Sequence, residues 1–103
     1  MQIAKVRGTV VSTHKAPSMT GIKLLLVQFI DETGELLPNY EVAADIVGAG
    51  VNEWVLVSRG SAARRVESRY EDRPLDATIV GIIDTVSVDN RSLYSKKETE
   101  RLL

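Results

Sequence analysis

Short segments rich in β-branched and aliphatic residues, separated by turn-forming residues, constrain the fold of this chain most strongly. Residues 4–10 alternate apolar and polar positions, as in a strand with one face in water. We place Ala4, Val6, Gly8 and Val10 on its apolar face. Residues 23–30 are apolar at nearly every position, which predicts a strand covered on both faces. Further strands are predicted over 40–47, 54–58 and 77–86.

Five short strands within a single domain predict a mainly β fold, a small closed or partly closed five-stranded barrel. The chain has 103 residues, enough for one domain. One short helix is expected after Gly60, with Ser61 as its cap. The barrel domain is predicted to span 1–86, and 87–103 is predicted to be a polar C-terminal tail, loosely held or partly helical. The strands carry more apolar surface than so small a barrel encloses, so another copy of the chain is expected to cover the surplus.

Charge and composition exclude some kinds of site and weaken the case for others. Lys and Arg number 13 against 14 Asp and Glu, whereas dedicated nucleic-acid binders usually carry a basic excess. The absence of cysteine excludes disulfides, thiolate metal sites and a cysteine nucleophile. His14 is the only histidine and is expected to face solvent rather than bind a metal. No apolar stretch is long enough for a membrane span, so a cytoplasmic protein is expected.

Three features could carry chemistry, but each has a simpler structural interpretation. Residues 48–50, Gly-Ala-Gly, suggest a phosphate loop, yet a strand follows them, which favours a turn or bulge. Ser61 lies in a context that only partly matches a nucleophile elbow, and a helix cap is the better interpretation. Asp45, Asp76 and Asp84 lie in or beside apolar strands, where carboxylates more often bind backbone N–H groups or an arginine than act as acid and base.

Six motifs, in this order and spacing, resemble the EutN/CcmL family, the pentameric vertex proteins of bacterial microcompartment shells. They are Val-Val-Ser-Thr at 10–13, Lys-Leu-Leu-Leu-Val at 23–27, Val-Ala-Ala-Asp-Ile-Val-Gly-Ala-Gly at 42–50, Glu-Trp-Val-Leu-Val at 53–57, Gly-Ser-Ala-Ala-Arg at 60–64 and Ile-Val-Gly-Ile-Ile-Asp at 79–84. Within the family, the sequences of these motifs are most similar to those of vertex proteins of cyanobacterial carboxysomes. The similarity covers residues 1–86.

The resemblance implies an oligonucleotide-binding-like barrel assembled as a cyclic homopentamer, with no catalysis, no cofactor and no metal. The implied partners are further copies of the chain, hexameric microcompartment shell proteins and an interior carboxysome scaffold protein. The implied role is to cap shell vertices, introducing the curvature that closes a carboxysome for carbon fixation. A single-stranded nucleic-acid-binding module on the same barrel is the alternative, and a small hydrolase is a third interpretation.

The expected site residues are structural, at a subunit interface or pore rim. Gly48 and Gly50 would let backbones approach closely, and Gly60 would permit the turn that Ser61 caps. Arg64 would pair with Asp45 or Asp84, in the same or a neighbouring subunit. Ser58 to Ser61 is a candidate for the rim of the central opening.

Overall fold

Five strands close into a barrel, and two more form a hairpin beside it. The computed structural model describes residues 1–12, 17, 21–60 and 76–98. The barrel strands are β1 (Gln2–Val10), β2 (Leu24–Ile30), β3 (Leu36–Asp45), β4 (Trp54–Arg59) and β5 (Ala77–Ile82), in the order β1-β2-β3-β5-β4. The hairpin consists of β6 (Thr85–Val88) and β7 (Arg91–Ser95). The predicted five-stranded barrel is therefore confirmed.

All barrel contacts are antiparallel except one, where β3 and β5 run parallel. That contact pairs Ala44 with Thr78 and Asp45 with Ile79. Because β5 pairs with only these two residues of β3, the described residues supply no strand beside 36–43 on the edge of β3 that faces away from β2.

The inner face of the barrel is filled by aliphatic and small side chains from all five strands. This core comprises Ala4, Val6, Leu25, Val27, Phe29, Ala43, Ala49, Val55, Val57, Ala77 and Ile79. Strand alternation sends every second residue inward, which is why the β-branched segments form pleated walls around one apolar interior. A second, smaller apolar cluster consists of the buried Ile22 and Ala44, against which the partly buried Leu24 and Ile46 pack.

A bulge in β1 makes the predicted placement of Ala4, Val6, Gly8 and Val10 on one face wrong beyond Val6. Ala4 and Val6 face the core, but one extra residue between Val6 and Gly8 shifts the register, so that Gly8 pairs with Leu26. Val10 then lies on the outer face with Leu24, to which it is paired. A glycine inside a strand often marks such a bulge, and the reversal of faces is its direct consequence.

The C-terminal part of the barrel also differs from the prediction. The strand expected over 77–86 ends at Ile82, and the domain boundary drawn after Val86 falls inside β6. Residues 87–95 belong to the hairpin rather than to a loosely held tail, while 96–98 are helical. Asp89 and Asn90 have φ values of 51° and 63°. Positive φ at both central residues is what a type I′ turn requires, and this turn matches the right-handed twist of the two strands that it joins. The helix expected at Ser61 and the end of the tail, 99–103, lie outside the described residues.

Candidate functional site

Asp45 organises the loop that follows β3. Its side chain has no solvent exposure, and its two oxygens accept hydrogen bonds from the N–H groups of Val47 (3.1 Å), Gly48 (3.1 Å) and Ala49 (2.9 Å). Lys23 Nζ lies 3.0 Å from Oδ2 and also donates to the carbonyl of Ala49 at 3.2 Å. A buried carboxylate with this many donors is fully satisfied, so it fixes the loop instead of reacting.

The two glycines of the Gly-Ala-Gly segment have different reasons to be glycine. Gly48 has a φ of 79°, a left-handed conformation that side chains disfavour. At Gly50 the N–H donates to Glu53 Oε1 at 2.6 Å, and an added Cβ would lie 3.2 Å from that same oxygen. The loop is thus a tight turn closed by two carboxylates. This agrees with the expected turn, while the expected contact between subunits stays a prediction.

The hairpin is held to the barrel by an aromatic stack and an ion pair. The rings of Trp54 and Tyr94 stack with centroids 4.3 Å apart and an interplanar angle of 11°. Lys96 Nζ lies 2.6 Å from Glu53 Oε2, and this hydrogen bond is the main reason why the pKa of Glu53 lies below its usual value. Glu53 therefore links the 48–50 turn to the end of the hairpin.

A charged cluster lies at the ends of β1 and β4. The Arg59 guanidinium contacts Glu41 Oε2 at 3.3 Å, donates to Gln2 Oε1 at 3.1 Å, and lies 5.2 Å from the centroid of Phe29. The roles of Arg59 and Lys23 were not predicted from the sequence. Alternation from the inward Val57 would have placed Arg59 on the inner side of the barrel, whereas nothing local in the sequence pairs Lys23 with Asp45.

The remaining predicted site residues are spread over the chain. Ser58 is buried on β4 opposite Thr78, and Gly60 turns at a φ of 68° while its N–H donates to the carbonyl of Asp76 at 2.8 Å. Asp84 lies exposed between β5 and β6, where its carbonyl accepts a hydrogen bond from the Lys96 N–H. Ser61, Arg64 and His14 lie outside the described residues.

The part of the chain that the structure describes contains neither a cluster of metal-ligating side chains nor a row of exposed aromatic rings. There, no three His, Asp or Glu side chains cluster as metal ligands would. Phe29 is buried and Trp54 is stacked on Tyr94, so Tyr40 is the one half-exposed aromatic ring in those ranges. Single-strand binding needs several such rings along a basic groove. None of the helical segments described is long and apolar enough to cross a membrane.

Known proteins of the same fold match nearly the whole chain. The family model described as "Ethanolamine utilisation protein EutN/carboxysome" matches residues 1–84. The carboxysome shell vertex protein CcmL of Gloeobacter violaceus is 68% identical over 101 residues, covering 98% of this chain and 100% of the relative. The solved structure of Gloeobacter violaceus CcmL superposes with a TM-score of 0.89 at 70% identity, covering 94% of this chain and 99% of that one.

A second solved structure extends the likeness beyond carboxysomes. The GrpN pentameric microcompartment shell protein from Rhodospirillum rubrum superposes with a TM-score of 0.76 at 44% identity, covering 87% of this chain and 100% of that one. The fold, the match to the family model and the 68% sequence identity over 98% of the chain agree. We conclude that this chain belongs to the EutN/CcmL family.

Proposed function

We propose that this protein is a structural vertex subunit of a carboxysome shell, which assembles as a cyclic homopentamer. The observation that carries the proposal is the 68% identity, across the full length of the relative, to a carboxysome shell vertex protein. The likeness to a pentameric shell protein supports the five-fold ring. Both are proteins of shells, and the fully satisfied Asp45 fits a structural role rather than a catalytic one.

The geometry of shells explains why such a ring is needed. Hexagonal tiles alone form a flat lattice, and closing that lattice into a polyhedron requires five-fold positions. A ring of identical subunits forms when one heterologous contact repeats until it closes. The partners in this role are hexameric shell proteins at the edges of the ring and an interior scaffold protein of the carboxysome.

Within this role, the predicted site residues shape the subunit and its contacts. Asp45 and Gly48 hold the turn after β3, as their hydrogen bonds and backbone conformation support. Lys23 already pairs with Asp45, which makes the exposed Asp84 the better partner for Arg64 in a neighbouring subunit. Ser58 to Ser61 stays our candidate for the rim of the central opening.

Shell closure provides the test of the proposed function. Hexamer-forming carboxysome shell proteins would be produced in a heterologous host with and without this chain, and the assemblies compared by electron microscopy. We expect closed polyhedra when the chain is present and open sheets or elongated tubes when it is omitted. Closed polyhedra of equal number and shape in its absence would contradict the proposal.

A further inference from the structure

The hairpin lies on the outside of the barrel and is not part of its sheet. Among the described residues, β6 and β7 pair only with each other, while the other five strands form the closed barrel. Trp54 precedes the inward-facing Val55 on β4, so its ring lies on the outer face of the barrel. Tyr94, the buried ring of the hairpin, stacks there and does not belong to the barrel core. The hairpin is therefore docked on the barrel wall through side chains.

A bulge in β7 turns two consecutive side chains toward the barrel. One extra residue, Leu93, lies between the pairs that Ser92 and Tyr94 form with β6. Regular alternation would send Leu93 and Tyr94 to opposite faces, whereas a bulge re-aims one of them. Tyr94 stacks on Trp54, and a Cβ built on Gly34 would lie 3.7 Å from Leu93 Cδ2 and 3.8 Å from Trp54 Cη2. The bulge thus gives the hairpin two apolar contacts with the barrel where an unbroken strand would give one.

The base of the hairpin has a sharp boundary in the backbone. The N–H of Ile83 donates to the carbonyl of Trp54 at 2.8 Å, which fixes Ile83 to the barrel. One residue later, the carbonyl of Asp84 accepts a hydrogen bond of 2.9 Å from the N–H of Lys96, which closes the hairpin on itself. We call residues 84–96 the hairpin unit. An isolated two-stranded hairpin is at best marginally stable in water, so the ladder of the hairpin unit depends on its docking to the barrel.

Glu53 contacts both the hairpin unit and the turn after β3. Its Oε2 lies 2.6 Å from Lys96 Nζ, and its Oε1 accepts a hydrogen bond of 2.6 Å from the N–H of Gly50. The Glu53 side chain is only 21% exposed, so water screens these contacts less than it would on an open surface. When the hairpin unit leaves the barrel, Glu53 loses the cation that orients it, and its hydrogen bond to Gly50 is weakened.

We propose that the hairpin unit opens and closes on the barrel as one body while the barrel stays folded, and that Glu53 transmits its position to the turn at 48–50. Segments that share few contacts with a core open locally at a lower free energy than the core itself. The coupling is reciprocal, so whatever holds the hairpin unit closed also orders the turn, and whatever orders the turn favours the closed hairpin. This inference concerns the subunit itself and does not depend on the proposed function.

Amide hydrogen exchange, resolved to single residues by mass spectrometry, tests the opening. In the unaltered protein we expect the amides of 85–95 to be protected at least about tenfold less than those of β2. Tyr94→Ala removes the stack on Trp54 and should lower the protection of 85–95 at least about tenfold further, with β2 unchanged. Circular dichroism would check that the barrel remains folded. Tyr94→Leu, which keeps an apolar side chain, should give a smaller loss in the same segment.

A pair of neighbouring lysines tests the transmission through Glu53. Lys96→Met keeps the aliphatic stem but removes the charge next to Glu53, and should lower the protection of the Gly50 amide about two- to fivefold. Lys97→Met makes the same change at the exposed neighbour and should leave Gly50 unchanged. Tyr94→Ala should also lower the protection of Gly50, but no longer once Glu53→Gln has been introduced.

Three results would each overturn the inference. The first is equal protection of 85–95 and β2 in the unaltered protein. The second is a loss of protection in β2 together with the hairpin in both Tyr94 variants, since the two would then unfold as one unit. The third is a Gly50 amide that does not respond to Tyr94→Ala, or that responds equally to Lys96→Met and Lys97→Met.

Discussion

Replacing Asp45 should lower the free energy of unfolding of the subunit far more than replacing Lys23, the lysine with which it pairs. Removing its carboxylate in Asp45→Ala leaves the N–H of Ala49 buried without its acceptor, at a cost of about 1–3 kcal/mol. The N–H groups of Val47 and Gly48 belong to exposed residues, so water can replace the lost bonds at about 0.5–1.5 kcal/mol each. We therefore expect Asp45→Ala to lower the free energy of unfolding by about 2–6 kcal/mol.

Lys23→Ala is the matched control because it removes the ion pair and the 3.2 Å hydrogen bond to the Ala49 carbonyl but leaves the three backbone hydrogen bonds to Asp45 in place. The Lys23 side chain is half exposed, so water screens its charge even though Asp45 is buried, and we expect Lys23→Ala to cost about 1 kcal/mol, at the upper end of the range for exposed ion pairs. Asp45→Asn keeps one carbonyl acceptor for the loop, so its loss should lie between those of the other two variants.

Urea unfolding at a fixed subunit concentration would compare the three variants, because assembly makes apparent stability depend on concentration. The fluorescence of Trp54, the only tryptophan, reports the transition. A thermal midpoint at least about 8 °C lower for Asp45→Ala would be the corresponding result of heating. A loss below about 0.5 kcal/mol for Asp45→Ala, or an equal loss for Lys23→Ala, would refute the claim that the backbone hydrogen bonds dominate.

Two further predictions concern the turn after β3 and the attachment of the hairpin. Gly48→Ala should cost about 1–2 kcal/mol because of its positive φ, whereas Gly8→Ala, with an ordinary φ and open space around it, should leave urea stability unchanged or slightly higher. The hydrogen bond from Lys96 lowers the pKa of Glu53, so its contribution is present above the unfolded-state pKa and is lost as pH falls through the lowered folded-state value. Acid should therefore loosen the hairpin and change Trp54 emission, and Glu53→Gln should weaken this pH dependence; an identical acid titration in the variant would contradict the assignment.

The barrel was predictable from the sequence because its core follows strand alternation. In β2 the alternate residues Leu25, Val27 and Phe29 face inward, but the sequence there is apolar at nearly every position and predicted a strand covered on both faces rather than these three core residues. The bulge after Val6 was not predictable in the same way, since one extra residue reverses the faces without any change in composition. Gly8 was the one local signal for it.

The hairpin and the Asp45 pairing show where local pattern stops being informative. Asp89 and Asn90 are typical turn residues, but β6 and β7 are short and largely polar, and their attachment depends on the stack between Trp54 and Tyr94, far apart in sequence. The ion pair of Asp45 likewise depends on how β2 and β3 are aligned, which is a property of the folded sheet rather than of either segment.

The assembly mass of the pure, unaltered protein tests the central claim most directly. Native mass spectrometry would count the subunits in the complex. A ring of five 11.3 kDa chains predicts a mass of about 56 kDa. A stable single subunit at all concentrations, or a ring with another number of members, would contradict the account.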